Sequence, residues 1–133
     1  YEGLCDIAII NNYYFGKLKY SEDPVQREWA KSMRLTFPNQ EEGDRGAHIN
    51  ISGGGVAKHS KNKESAIKLL EFVSNSKSQK MYSEINFEYP VNVKVEPSEE
   101  LVSWGNFRED KISIEKIAQL SIDAQKIIDR VGW

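Results

Sequence analysis

Two consecutive phenols, Tyr13 and Tyr14, stand where the apolar run from Cys5 to Ile10 gives out, in the stretch CDIAIINNYYFGKL. Two chemistries fit such a pair. In the structural one, the rings close a core and the hydroxyls hydrogen-bond at its surface. In the other, both oxygens hold one metal ion. Inside a regular strand, consecutive side chains point to opposite faces and cannot share an ion. At a strand end turning into a helix they project about 100° apart and can converge. Crevices beyond the carboxyl ends of α/β strands are also where ligands usually bind.

Acid–base chemistry selects the metal for the second reading. A free phenol has a pKa of ~10 and keeps its proton at neutral pH. Only a strongly polarising cation makes its deprotonation favourable, as bound cations do for water and thiols. Fe(III), small and hard, fits; Zn(II) and Cu(I) prefer imidazole or sulfur. Two phenolates also bring two negative charges, which favour a trivalent ion over a divalent one. The remaining coordination positions need donors from elsewhere.

The other chemistry-bearing residues read more plainly. His48 lies outward on AHINIS and His59 lies in the charged run KHSKNK, Lys58 to Lys63. Their spacing matches no common zinc pattern, so each reads as structural or surface. Cys5 is the only cysteine; it allows neither an intrachain disulfide nor a thiolate cluster, and leading into a buried strand it is a small apolar filler. SGGGVAKHSK lacks the Gly-Lys-Ser/Thr ending of a phosphate loop. Its three glycines permit a sharp change of direction instead. Glu41, Glu42 and Asp44 are hard donors in a loop and read as solvated. Tyr89-Pro90 reads as a packing or turn element, Tyr82 as core or rim, and Trp29, Trp104 and Trp133 as covers of helix contacts. No set of nucleophile, base and orienting group can be assembled, so no residue is assigned to catalysis.

The elements that must position the tyrosines follow from hydrophobic periodicity. Cys5 to Ile10, apolar apart from Asp6, is continuous rather than alternating, which suits a strand covered on both faces by helices. One or two helical turns come after Tyr14. Asp23-Pro24 reads as N-cap and first helical position, with Val25, Trp29 and Met33 in one stripe of a helix ending near Arg34. RLTFPNQ contains a short strand closed by Pro38. AHINIS alternates as a strand with one buried face. A helix from Asn62 to about Asn75 carries Ala66, Ile67, Leu70 and Val73, widened by Leu69 and Phe72. Another spans Ser78 to Ile85, a short one starts near Ser98, and a long C-terminal helix carries Ile117, Leu120, Ala124, Ile127, Ile128 and Val131. Strands alternating with helices predict an α/β layer architecture.

The 133 residues suffice for a domain with a core. Lysine and arginine number 18 against 20 acidic residues, interspersed, for a net charge of −2. That argues against nucleic acid as a partner, since phosphate binding needs a clustered basic surface. No apolar run approaches the ~20 residues needed to cross a bilayer, and no secretory signal is recognisable. The apolar strand begins almost at once after Tyr1, with nothing upstream to pair with it. The expectation is a part of a longer chain.

IINNYYFGKL, FPNQ, RGAHINISGGGVAKH, KNKESAIKLLEFVSN and NFEYPVN, in that order, resemble the C-terminal part of bacterial periplasmic ferric-iron-binding proteins, the substrate-binding proteins of iron ABC transporters. The resemblance covers nearly the whole chain, through the closing VGW. It implies a portion of a two-lobed clamshell of the type II periplasmic-binding-protein fold, with mixed sheet and helices and iron in the cleft. Residues 1–46 would end one lobe and carry the tyrosine pair, 47–56 would form a crossover or hinge strand, and 57–133 would be a helical remainder contributing to both lobes. It also implies that Tyr13 and Tyr14 ligate Fe(III). Asn11 would help to hold a synergistic anion such as carbonate or phosphate, and Asn12 reads equally as a turn residue. The implied partners are ferric iron and the membrane subunits of the importer, in the periplasm, with no enzymatic activity. The family's further iron ligands lie upstream of the pair and are not in this chain, whose exposed apolar surface would then favour self-association. Rival readings are a receptor of the same fold for a polyamine, thiamine or an oxyanion, and a hydrolase or transferase using a tyrosine as general acid.

Overall fold

Local capping and helix-forming runs decide where the chain becomes regular. The computed structural model describes residues 2–133. Among them, six helices form: α1 (Asn12–Lys19), α2 (Pro24–Lys31), α3 (Lys63–Ser74), α4 (Ser76–Ile85), α5 (Glu99–Ser103) and α6 (Ile114–Val131). Four have side-chain N-caps. Asp23 accepts the Val25 N–H at 2.8 Å, with Pro24 at the first helical position. Asn75 accepts from Ser78, Ser98 from Leu101 and Ser113 from Lys116. At the end of α6, Gly132 takes the left-handed conformation that terminates helices without a Cβ clash.

Contacts divide the chain into two units. The first comprises Tyr1–Thr36 and Asn50–Asn106. In it, α1 packs on α2 and α3 on α4. Its buried apolar residues are Ala30, Phe87 and Leu101. Ser83 and Ser98 join the end of α4 to the start of α5 reciprocally. The Ser98 N–H donates to Ser83 Oγ at 2.7 Å, and Ser98 Oγ donates to the Ser83 carbonyl at 2.9 Å.

The second unit comprises Phe37–Ile49 and Phe107–Trp133. Ala47 and Glu109 form a parallel bridge, with the Ala47 N–H on the Arg108 carbonyl and the Asp110 N–H on the Ala47 carbonyl, both at 2.8 Å. Gly46, at φ 95°, makes this approach possible; a Cβ there would lie 2.6 Å from the Arg108 oxygen. Arg108 gathers the loop, donating through Nη2 to the carbonyls of Glu41 at 2.7 Å and Asp44 at 2.9 Å. Phe37 stacks on Phe107 at 4.2 Å, and Arg45 pairs with Asp110 at 2.9 Å.

The helices fall where the sequence places them, but the strands do not. Among the described residues no strand forms, and the expected mixed sheet is represented by the Ala47–Glu109 bridge alone. Cys5 to Ile10 has no regular structure. Cys5 is exposed rather than a buried filler, and Ile7 and Ile9 are more than four-fifths exposed. A buried parallel strand needs hydrogen-bonding neighbours and covering helices on both faces. The described residues offer neither, so the apolar pattern has nothing to pack against. RLTFPNQ likewise forms no strand, and AHINIS is reduced to its first residue. The helical stripes are only half realised: Ile67, Leu69 and Phe72 of α3 and Leu120, Ile127, Ile128 and Val131 of α6 stay exposed. Trp133 is exposed rather than covering a helix contact. No helix of the described residues is long and apolar enough to cross a membrane.

Candidate metal centre

Helix α1 starts at Asn12, so both tyrosines lie in its first turn rather than before it. The Tyr14 N–H bonds back to the Asn11 carbonyl at 3.1 Å. The rings are adjacent, with centroids 4.3 Å apart and planes inclined at 38°. Tyr13 is half-buried and Tyr14 half-exposed. Lys17, one turn on, places its ammonium 5.0 Å from the Tyr13 ring centroid.

The Tyr14 phenol is pushed above its ordinary pKa. A side-chain hydrogen bond with Tyr13 is the main cause, followed by the field of that second phenol and some burial; Lys17 pulls the other way. Tyr14 therefore holds its proton more firmly than a free phenol does. A cation able to displace both protons would meet two oxygen donors from neighbouring residues. Among the described residues, no cluster of three or more histidine, cysteine or carboxylate side chains could hold a metal. His48 and His59 are exposed and take no part in such a cluster.

Asn11 is the N-cap residue of α1 but makes no capping bond with its side chain. Its Oδ1 instead accepts from Asn50 Nδ2 at 3.3 Å. Asn12 is more than a turn residue: its Nδ2 donates to the Phe87 carbonyl at 3.0 Å, tying the first turn of α1 to the segment after α4.

Phe87 and Glu100 hold the rest of α1. Phe87 is buried with φ 58°, an unusual backbone for a residue with a side chain. Its ring lies against Gly16 on α1, stacks on Tyr20 at 5.4 Å and reaches Trp104 at 6.3 Å. Glu100 on α5 accepts from Lys19 Nζ at 2.6 Å, the Tyr20 hydroxyl at 2.6 Å and Trp104 Nε1 at 2.8 Å. Burial works to raise the Glu100 pKa. The hydrogen bonds from Lys19, Tyr20 and Trp104 outweigh it and hold the carboxyl below its usual range. Neither residue stood out in the sequence. The readable signal was Gly16, since a glycine inside a helix marks a close approach.

No family model matches the chain. Individual relatives do. It is 39% identical over 98% of its length to iron uptake protein A1 of Synechocystis sp., of which it covers 36%. Among solved structures, it superposes on the apo ferric ion-binding protein A of Pasteurella haemolytica with a TM-score of 0.89 at 44% identity, over 98% of this chain and 40% of that one. Over nearly its whole length the chain is similar to part of the ferric iron-binding proteins. It also matches a Trichodesmium IdiA (FutA) protein in complex with iron and citrate, with a TM-score of 0.83 at 44% identity, over 93% of this chain and 39% of that one. The fold is thus that of a portion of the ferric-binding relatives. The chain spans well under half the length of the proteins it matches.

Proposed function

We propose that this chain is part of a solute-binding receptor for Fe(III), with Tyr13 and Tyr14 as phenolate ligands. The observation that carries the reading is the apposition of the two phenols in the first turn of α1, in a chain homologous to iron uptake and ferric-binding proteins. Each phenol alone would keep its proton at neutral pH. An Fe(III) ion between them repays both deprotonations, because it gains two anionic oxygen donors at once. The ion is cargo, and the protein is a binder rather than an enzyme.

Asn11 precedes the pair and offers an amide donor toward an oxyanion that would complete the coordination, such as carbonate or phosphate. The rest of the protein would supply the other ligands. Iron that bridges two lobes binds the closed form better than the open one and so shifts the population toward closure. Release to the membrane subunits of an ABC importer follows when that partner favours the open form, or when protonation or reduction weakens the phenolate bonds. The periplasm is the compartment this role implies.

Titration of the full-length protein with ferric citrate tests the reading. Ferric phenolates absorb visible light by charge transfer, so the wild type turns coloured and the Tyr13→Phe/Tyr14→Phe double variant does not. A colourless wild type saturated with iron would refute it.

A further inference from the structure

The side-chain amide of Asn50 sits between a backbone donor and Asn11, and this fixes which end of each amide faces where. The Ile51 N–H donates to Asn50 Oδ1 at 3.0 Å. A backbone N–H cannot be exchanged for an acceptor, so that bond settles the orientation of the Asn50 amide. Its Nδ2 must then point the other way, and it donates to Asn11 Oδ1 at 3.3 Å. This in turn orients Asn11. With its oxygen engaged by Asn50, its NH₂ group is turned away and has no partner among the described residues. Asn11 also forgoes the capping bond its oxygen could make to the first turn of α1.

We infer that Asn50 is a positioning residue that latches the Asn11 amide with its NH₂ group outward, so that the site beside the tyrosine pair accepts an oxyanion and rejects a cationic or donor-bearing co-ligand. The inference rests on the proposed role of Asn11 and deepens it by naming the residue that orients its amide. An unlatched asparagine can present either end, as donor or as acceptor. A latched one presents donors only, and a carboxylate, carbonate or phosphate oxygen is what they match. The relay runs from the main chain at Ile51 through two amides, so its direction does not depend on pH.

The test uses full-length protein loaded with Fe(III), titrated separately with bicarbonate and with inorganic phosphate while the visible charge-transfer band is followed. Asn50→Ala removes the latch. Asn50→Asp reverses it, since a carboxylate can only accept and turns the Asn11 oxygen outward. The anion concentration for half-maximal effect should rise several-fold in Asn50→Ala and about tenfold or more in Asn50→Asp. The Asn50→Asp effect should persist at high salt, where simple repulsion by the new charge is screened. Thermal melts check that both variants remain folded. A coloured wild type that responds to anion, with both variants matching it, overturns the inference and leaves the tyrosine reading standing. A coloured wild type indifferent to anion overturns it too, and a colourless wild type overturns both.

Discussion

Gly16 and Phe87 touch so closely that any side chain at position 16 would force one of them to shift: a Cβ there would lie 2.5 Å from Phe87 Cδ2 and 2.9 Å from its Cβ. The contact joins the helix that carries both tyrosines to a buried ring whose own backbone is held at positive φ. The placement of the phenol pair thus depends on a residue without a side chain. Gly16→Ala gains up to ~1 kcal/mol of helix propensity but forces a methyl into that ring. Overpacking of this kind costs about 1–3 kcal/mol. A lower unfolding midpoint in denaturant is expected, and an unchanged or higher one would show that the contact relaxes freely.

Glu100 predicts a pH dependence. Its carboxyl is held below the ordinary range, so the stability it adds is complete above the ordinary glutamate pKa and is lost as pH falls through the depressed value. Lys19 is raised, chiefly by its hydrogen bond to Glu100, and its share is lost only as pH rises through that raised value. Glu100→Gln should therefore cost a constant amount from about pH 6 to 9, with the difference from wild type shrinking in acid. The loss should be about 1–2 kcal/mol, because bonds to a charged group are strong while Lys19 is 43% exposed and screened. Chemical denaturation across pH reads both quantities.

Arg108 supports the 39–46 loop through one nitrogen shared among backbone carbonyls. The compact ammonium of lysine is more strongly hydrated than a guanidinium and gives up more solvation to sit among those carbonyls. Arg108→Lys should raise proteolytic cleavage and amide exchange within 39–46 by several-fold while leaving α6 helical. Unchanged exchange would mean that the Ala47–Glu109 bridge alone holds the loop.

The apolar residues left exposed on α3 and α6 predict self-association of the 133-residue chain on its own. Sedimentation should show species heavier than the monomer, reduced by Leu69→Lys with Phe72→Glu. A monodisperse monomer at high concentration would contradict this.

The helices were legible because their signals are local. Asp23-Pro24, Asn75, Ser98 and Ser113 cap within three residues, and such bonds form whatever the rest of the chain does. The strands were not, since a strand is completed by partners distant in sequence. Cys5 to Ile10 carries largely the right composition but pairs with no strand among the described residues. Tyr13 and Tyr14 stood out by type and position, but their choice as ligands came from the resemblance; the structure places them side by side in the first turn of a helix. Phe87, Glu100 and Asn50 act through contacts across 39 to 81 positions of chain, a separation that no periodicity reports.

Iron-edge anomalous diffraction from crystals of the full-length protein loaded with Fe(III) tests the central claim most directly. The account predicts one iron bonded to the phenolic oxygens of both Tyr13 and Tyr14. Iron seated elsewhere, with either tyrosine oxygen outside its coordination shell, would contradict it.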